Sequence, residues 1–428
     1  MTDPGASNGW HPHLWHPFTQ PGRGPAPLPV RHGQGVWLEL EDGRRLIDGI
    51  SSWWVTLHGH SEPSIAAAIA QQASTLEQVI FANFRHGPAS TLAERVCALW
   101  PGLERMFFSD NGSTAVEVAL KMAWQQSWRQ GGERRQLIAF EGAYHGDTFG
   151  AMAVGERGLF SAPFEPLLCA VARAPWPATW WGDDSIEQRE AAALARLEQL
   201  LDTPTVAVIL EPLLQGAGGM AMVRPQFLQA VQQRVQQAGA LLIADEVLTG
   251  FGRCGSLFAS LRAGIQPDIV ALSKGLTGGF LPMGVTLASE TLYQQFVGPE
   301  DDRTFFHGHS FTANPLGCAA AVASLELLQA EPQRYSGIEA RHRPLLQQLA
   351  TLTRVVRPRL LGSIAAFELS GASGYLQPIG LEVQRRCLEQ GLFVRPLGSV
   401  VYLMPPLCIT DAELERCYSV LTSVLQQL

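Results

Sequence analysis

The sequence predicts an α/β fold: a large domain around a mostly parallel, doubly wound sheet, plus a smaller α+β domain assembled from the N- and C-terminal segments. Three observations carry that expectation. Apolar runs of three to five residues recur at 106–108, 137–140, 206–210, 241–244 and 269–272; continuous rather than alternating apolar character marks strands covered on both faces. Between them lie stretches of helical character, 115–124 and a segment from Pro225 with Phe227, Val231 and Val235 on one face, as a β–α alternation requires. After residue 316 the pattern changes to helices alternating with short strands such as 364–369 and 400–404. We therefore expect an N-terminal arm and hairpin over 1–60 that belongs to the small domain, a large α/β domain over 61–315, and a C-terminal small α+β domain over 316–428.

Whole-chain properties narrow the class. With 428 residues there is chain enough for one large core and a second, smaller one. Hydrophobic residues make up 46% and charged ones only 16%, which suits a compact protein with surface hidden between subunits. A net charge of −8 argues against a nucleic-acid binder. No purely apolar run reaches the ~18 residues of a membrane span. The opening MTDPGASNGWHPHLWHPFTQ resembles neither a secretory signal nor a transit sequence, so a cytoplasmic location is expected. The seven cysteines are scattered and never spaced CxxC, as free thiols in a reducing compartment would be.

Residues 1–30 carry seven prolines and cannot form one regular element. Trp10, Trp15 and Phe18 make this an arm that packs rather than floats, since disordered tails are poor in aromatics. His11, His13 and His16 have no second ligand pair at a suitable spacing, so no metal is expected. Two runs around Asp42-Gly43, over 36–49, give a hairpin signal. They lead into Ser51-Ser52-Trp53-Trp54. Neighbouring tryptophans on a strand would point to opposite faces, so at least one should line a cleft or an interface. A helix follows over 64–80.

The 106–108 run stops at 109–114 and a helix begins, an arrangement that offers free N–H groups and a favourable dipole to a phosphate. Thr114 and Glu117 would make an ordinary capping box at the same place, and the two readings are compatible. The 137–140 run opens into 142–148, where the ring of Tyr144 could stack on a flat cofactor. The 206–210 run ends at Glu211-Pro212. Beyond it Gly216-Ala217-Gly218-Gly219 formally fits a dinucleotide fingerprint, but the next helix starts near Pro225 rather than on those glycines. Past Lys274, Thr277-Gly278-Gly279 precedes an apolar stretch at 283–287. A polar, aromatic loop at 305–315 follows; its Ser310 and Thr312 could reach a phosphate or be plain loop polarity. From Leu316 a long helix begins.

The stretch that organises the chain is 240–274. One apolar run ends at Asp245 and the next at Ser273-Lys274. Ligands of doubly wound sheets bind beyond the carboxyl ends of the strands, so an acid and an amine stand where chemistry belongs. Asp245 could pair with a protonated heterocyclic nitrogen. Lys274 could form a Schiff base, its pKa lowered by burial. That pair describes a site for pyridoxal phosphate (PLP). Taken alone it is equally compatible with an acid and a lysine capping strands at the surface.

Five residue groups, two of them around Asp245 and Lys274, tip the balance. ADE at 244–246, SKG at 273–275, EP at 211–212, NGSTA at 111–115 and YHG at 144–146 resemble the class III (ω-type) PLP-dependent aminotransferases of fold type I, and the likeness runs over most of the chain. Within that family LWHPFTQ (14–20), DGISSWW (48–54), YHGDTFGAM (144–152), QGAGGM (215–220), GFGRCG (250–255) and VRPLG…YLMPP (394–406) are similar to the biotin-biosynthesis branch. The WHP arm and the paired tryptophans are the most specific of these.

The resemblance implies roles. Lys274 would be the Schiff-base lysine and proton shuttle, Asp245 the partner of the ring nitrogen, and Tyr144 a group at the cofactor's face that also meets substrate. Gly112 and Ser113 would cup the phosphate. His309 and Ser310 would bind phosphate, and Gly308 substrate, from the partner subunit of a homodimer. Phe18, Trp53, Trp54, Asp147, Arg253 and Arg395 would contact substrate, Arg395 as a bidentate fork for a carboxylate. Two departures stand out. Some members carry Tyr where this chain has Phe18, so a hydroxyl is missing, and His309-Ser310 replaces a Pro-Thr version of that loop. The implied reaction converts 8-amino-7-oxononanoate to 7,8-diaminononanoate with S-adenosylmethionine as amino donor; lysine-using members leave the donor open. Alternatives are an ω-aminotransferase for γ-aminobutyrate, ornithine or a polyamine, a PLP aminomutase, an oxidoreductase built on 216–219, and a silent binding relative. Intact Asp245 and Lys274 speak against the last.

Overall fold

A computed structural model describes residues 10–11, 13–20, 26–371 and 378–428. Its centre is a seven-stranded sheet of β1 Arg105–Ser109, β2 Gln136–Phe140, β3 Ala172–Ala174, β4 Thr205–Leu210, β5 Leu241–Asp245, β6 Ile269–Leu272 and β7 Gly284–Ala288. Their order across the sheet is β1-β7-β6-β5-β4-β2-β3. Every pairing is parallel except those of β7, which runs antiparallel to both β6 and β1. The predicted mostly parallel α/β sheet is therefore present, with the apolar stretch at 283–287 supplying its one reversed strand.

Both faces of the sheet are covered, which is why its strands read as unbroken apolar runs. On one face Ala115, Val116 and Ala119 of helix Gly112–Arg129 pack on Leu137, Ile209, Ile243 and Ile269. On the other, Phe227, Val231 and Val235 of helix Pro225–Gln237 pack on Ile138, Val208 and Leu242. Helices Gly87–Cys97 and Pro315–Ala330 extend that second layer over Ala244, Val270 and Val285. Successive strand residues point to opposite faces, so Leu242, Ile243 and Ala244 serve different layers.

The two ends of the chain are knit together beside this sheet. Strands Val30–Gln34, Trp37–Leu40 and Arg45–Asp48 form an antiparallel meander that turns at Asp42-Gly43, and Leu392–Phe393 joins it parallel to Arg45–Asp48. A second antiparallel sheet of Val355–Leu361, Ile364–Leu369 and Val400–Leu403 packs with helices Ile338–Leu349 and Asp411–Gln426. Among the described residues no helix is long and apolar enough to cross a membrane.

Three local expectations change. The helix expected over 64–80 is Pro63–Ala73; the hydroxyls of Ser74 and Thr75 both donate to Gln71 O and compete with the helical ladder. The capping box at the start of Gly112–Arg129 is formed by Asn111 and Thr114, not by Thr114 and Glu117. Glu117 instead accepts from the N–H groups of Gly150 and Ala151 and from Thr148 Oγ1, capping helix Phe149–Val154. Finally, residues 51–54 are not a strand but a distorted turn, with Ser51, Ser52 and Trp54 at φ 54°, 61° and 68°. Gly216–Gly219 lie between the two-residue strands Leu214–Gln215 and Ala221–Met222, which removes the dinucleotide reading.

Candidate active site

The carboxyl ends of β5 and β6 open into a cavity of about 690 Å³. Asp245 closes β5, and Lys274 follows β6 at the first position of a single 3-10 turn. Lys274 holds φ 42°, a left-handed conformation that costs a non-glycine residue roughly 1–3 kcal/mol and survives only where its surroundings fix it. Here Ser273 Oγ donates to Met283 O at 2.6 Å, and Leu276 N–H closes the turn on Ser273 O. Loss of water around the Lys274 amine pushes its pKa down, while Asp245 and Glu211 pull it part of the way back. Its Nζ stands 4.9 Å from the centroid of the Trp54 ring. The result is an amine biased toward its unprotonated, nucleophilic form.

Asp245 is held from two sides. Its Oδ1 accepts from Val247 N–H at 3.0 Å, and its Oδ2 faces His145 Nδ1 at 2.7 Å. A carboxylate only accepts, so Nδ1 carries the proton of that pair. His145 Nε2 is buried without a partner among the described residues. Glu211, just past β4, also faces the cavity. It accepts from Tyr144 N–H at 3.1 Å and Gly216 N–H at 2.9 Å. Burial pushes its carboxyl up to about 7; nearby His145 opposes that rise and Asp245 adds to it.

The third wall is a helix start. Asn111 and Thr114 satisfy each other's backbone, leaving the N–H groups of Gly112 and Ser113, both of which line the cavity, with no intrahelical acceptor. Ser113 Oγ accepts from Thr148 N–H at 3.0 Å and shares a hydroxyl bond with Thr148 Oγ1. Gly146 packs onto Ser113 at φ +133°, and a Cβ there would overlap the serine side chain. Tyr144 lies over the opening, 36% exposed. Burial and the adjacent Asp147 push its phenol well above the ordinary range, so it stays a neutral hydrogen-bond donor.

Trp53 and Trp54 diverge from their strained turn. Trp54 is buried, lines the cavity and donates from Nε1 to Tyr402 OH at 2.8 Å. Trp53 turns outward into a second cluster, where the Arg395 guanidinium lies 4.5 Å over its ring and Phe18 meets its edge at 5.5 Å. Phe18 also meets Phe160 at 5.9 Å. Arg395 makes no ion pair among the described residues.

Of the residues singled out from sequence, Gly112, Ser113, Tyr144, Asp147, Asp245, Lys274 and Trp54 share the cavity. Phe18, Trp53 and Arg395 form the adjoining cluster. Arg253 is placed elsewhere. It is buried, donating to Pro405 O at 2.9 Å and Thr56 O at 3.1 Å. Gly308, His309 and Ser310 are not walls of this chain's own cavity; their loop is tied by Gln78 Nε2 to Ser310 O and by Lys121 to His307.

The aminotransferase class-III family model matches residues 18–425. The chain belongs to that family. A class-III relative from Synechococcus elongatus, an adenosylmethionine-8-amino-7-oxononanoate aminotransferase, is 58% identical over 98% of this chain and 99% of its own length. The protein of the same name from Geobacter sulfurreducens is 41% identical over 94% and 93%. Among solved structures, the enzyme of that name from Methanocaldococcus jannaschii superposes with a TM-score of 0.89 at 32% identity, covering 97% of each chain. A PLP-bound amine transaminase from an uncultivated Pseudomonas species superposes at 0.92 with 29% identity, over 98% of this chain and 100% of that one.

For this class-III aminotransferase, the reading of the sequence left His145, Glu211, Thr148 and Phe160 without roles. The first two sat inside the YHG and EP motifs, which were the available signal. Thr148 sat inside the YHGDTFGAM stretch, whereas Phe160 carried no signal, because only folding brings it to Phe18.

Proposed function

We propose that this chain converts 8-amino-7-oxononanoate to 7,8-diaminononanoate in biotin biosynthesis, with PLP as cofactor and S-adenosylmethionine as amino donor. One observation carries the reading: an amine and a carboxylate from adjacent parallel strands open into one cavity with a helix start, in a chain 58% identical end to end to a protein of that activity. The residues fit the cofactor by their chemistry. Two unpaired N–H groups and the Ser113 hydroxyl suit a phosphate at a helix N-terminus. Asp245 suits a protonated ring nitrogen, and a buried amine suits an aldehyde. When bound, PLP condenses with amines and its protonated ring takes up the electron pair left as a proton departs.

The chain's own residues do the rest. Asp245, fixed by His145 and Val247 N–H, would hold the ring nitrogen with its carboxylate. Lys274 Nζ, biased by burial toward its unprotonated form, would accept the proton from the substrate carbon and return it. The phenol of Tyr144 donates a hydrogen bond at the cavity opening. The guanidinium of Arg395, without an ion pair among the described residues, takes the keto acid's carboxylate, while the ring of Trp53 gives its aliphatic chain an apolar bed. The walls of Trp54 and Tyr144 exclude water from the reacting carbon. A homodimer completes the site, with Gly308, His309 and Ser310 reaching a partner's cavity. Supporting this, those residues miss their own cavity and the apolar side chains around them, Ile80, Phe84, Phe306 and Phe311, are exposed in the single chain.

The test is the cofactor spectrum of purified protein mixed with S-adenosylmethionine alone, then with lysine alone. Conversion of the aldehyde-form band to the amine form by S-adenosylmethionine is expected. Conversion by lysine alone replaces the donor and keeps the keto acid. A band that neither donor shifts overturns the substrate assignment, and the absence of any band after reconstitution with PLP overturns the cofactor. Lys274→Ala is expected to lose turnover; a fully active variant refutes the role of that lysine.

A further inference from the structure

Ser51, Ser52 and Trp54 all hold positive φ, yet none is a glycine or an asparagine, the residues that tolerate such backbone. Something outside the turn must hold it. Asp48 is fully buried at the end of strand Arg45–Asp48, three residues before Ser51, and its carboxylate bonds into the turn at Ser52. Oδ1 accepts from Ile50 N–H at 3.2 Å. Oδ2 accepts from Ser52 N–H at 2.6 Å and from Ser52 Oγ at 3.1 Å, and faces His60 Nε2 at 2.9 Å. The far end of the segment is tied as well. Ser51 Oγ donates to Met404 O, and the buried Arg253 guanidinium bonds Thr56 O and Pro405 O while feeling the charge of Asp48.

The two rings that leave this turn face the Lys274 amine and the Arg395 guanidinium. Trp54 meets Lys274 Nζ at 4.9 Å, and Trp53 lies under Arg395 at 4.5 Å. We propose that Asp48 is a positioning residue for substrate specificity: its carboxylate holds the strained 51–54 turn so that Trp53 and Trp54 face Arg395 and Lys274. The proposal rests on the reading of Trp53 and Arg395 as the keto-acid subsite. A buried carboxylate with three contacts to residues 50–52 and a fourth to His60 is more than a scaffold needs, because the meander strands are already joined by their own backbone ladder.

The test compares wild type with Asp48→Asn and Asp48→Asn/Ser52→Gly, all loaded with cofactor. Measured are KM and kcat for 8-amino-7-oxononanoate, thermal midpoint, and near-ultraviolet circular dichroism of the aromatic rings. Losing the charge-assisted bonds is expected to raise KM roughly tenfold or more, with kcat falling less and the aromatic dichroism altered. Glycine adopts positive φ without strain, so Ser52→Gly is expected to recover part of the lost KM. A folded Asp48→Asn with unchanged KM overturns the proposal, and so does a KM loss that Ser52→Gly leaves untouched. If Asp48→Asn does not accumulate, Ser52→Ala, which deletes the Oγ bond to Asp48 together with a long one from Thr56 Oγ1, is read instead. About a threefold rise in KM is then expected, and none refutes the idea. Wild type inactive on the keto acid would instead refute the functional reading on which the proposal stands.

Discussion

Adding one methyl group at Gly146 should damage the phosphate end of the site more than its size suggests. Gly146 holds φ +133°, and a Cβ there would overlap Ser113 Oγ and Cβ and come within 2.7 Å of Ser113 Cα. The clash reaches backbone, so rotating the serine side chain does not relieve it. The backbone conformation costs an L-residue about 1–3 kcal/mol, and overpacking adds about 1–3 kcal/mol. The sum for Gly146→Ala is therefore about 2–6 kcal/mol. Relief requires moving helix Gly112–Arg129 away at its start, where Ser113 accepts from Thr148 N–H. Part of the cost should therefore appear as weaker PLP binding. If only 1.4 kcal/mol of it does, affinity falls about tenfold. The assay is a fluorescence titration of the cofactor-free variant with PLP, beside urea denaturation of the same protein. Gly158→Ala is the control, because a Cβ there meets nothing within 4 Å and its φ is not positive. A Gly146→Ala protein with wild-type stability and wild-type PLP affinity would refute the geometry of the cup.

Arg395→Ala should raise KM for the keto acid about 10- to 150-fold, the worth of a charge-assisted bidentate contact of about 1.5–3 kcal/mol, while the half-reaction with the amino donor changes less. An unchanged KM in steady-state kinetics would remove Arg395 from the carboxylate subsite. His342 and His58 should make the fold sensitive to acid. Burial pushes His342 down to about 3, against Tyr418 OH at 2.8 Å, and His58 down to about 4, against Ser324 Oγ at 3.0 Å. A histidine whose folded pKa lies below its unfolded value contributes fully above pH ~6.5, and that contribution is lost as pH falls toward the folded value. At about 1.4 kcal/mol per unit, each should cost on the order of 3 kcal/mol by pH 4. Urea midpoints at a series of pH values should therefore show a shallower acid decline for His342→Gln than for wild type. Equal slopes would mean that the ring is already charged when folded.

What could be read in the sequence, and what could not, divides by the range of the interactions. Asp245 and Lys274 were legible because a buried parallel strand must be apolar and must stop where polar chemistry starts. Both constraints act within a few residues. The helix start at Gly112 was legible for the same reason. The capping partner was not, because Asn111 and Thr114 compete with Glu117 for one role and the nearby Gly150 and Ala151 N–H groups settle it. Trp53 and Trp54 were assigned to the site, but as residues of a strand. Their turn is set by Met404, Tyr402 and Asp48, and the first two lie some 350 positions away. Arg253 shows the limit most plainly. An arginine beside glycines and a cysteine reads equally well as a substrate contact or as a buried clamp. Its bonds to Thr56 O and Pro405 O, with Asp48 nearby to offset its charge, commit its guanidinium to backbone outside the residues that line the cavity. Any effect of Arg253 on substrate use would then pass through the same turn that Asp48 holds. The two residues should be coupled: in a double-mutant cycle on keto-acid KM, Asp48→Asn and Arg253→Met should cost less together than the sum of their separate effects. Strict additivity would mean that the turn has two independent supports.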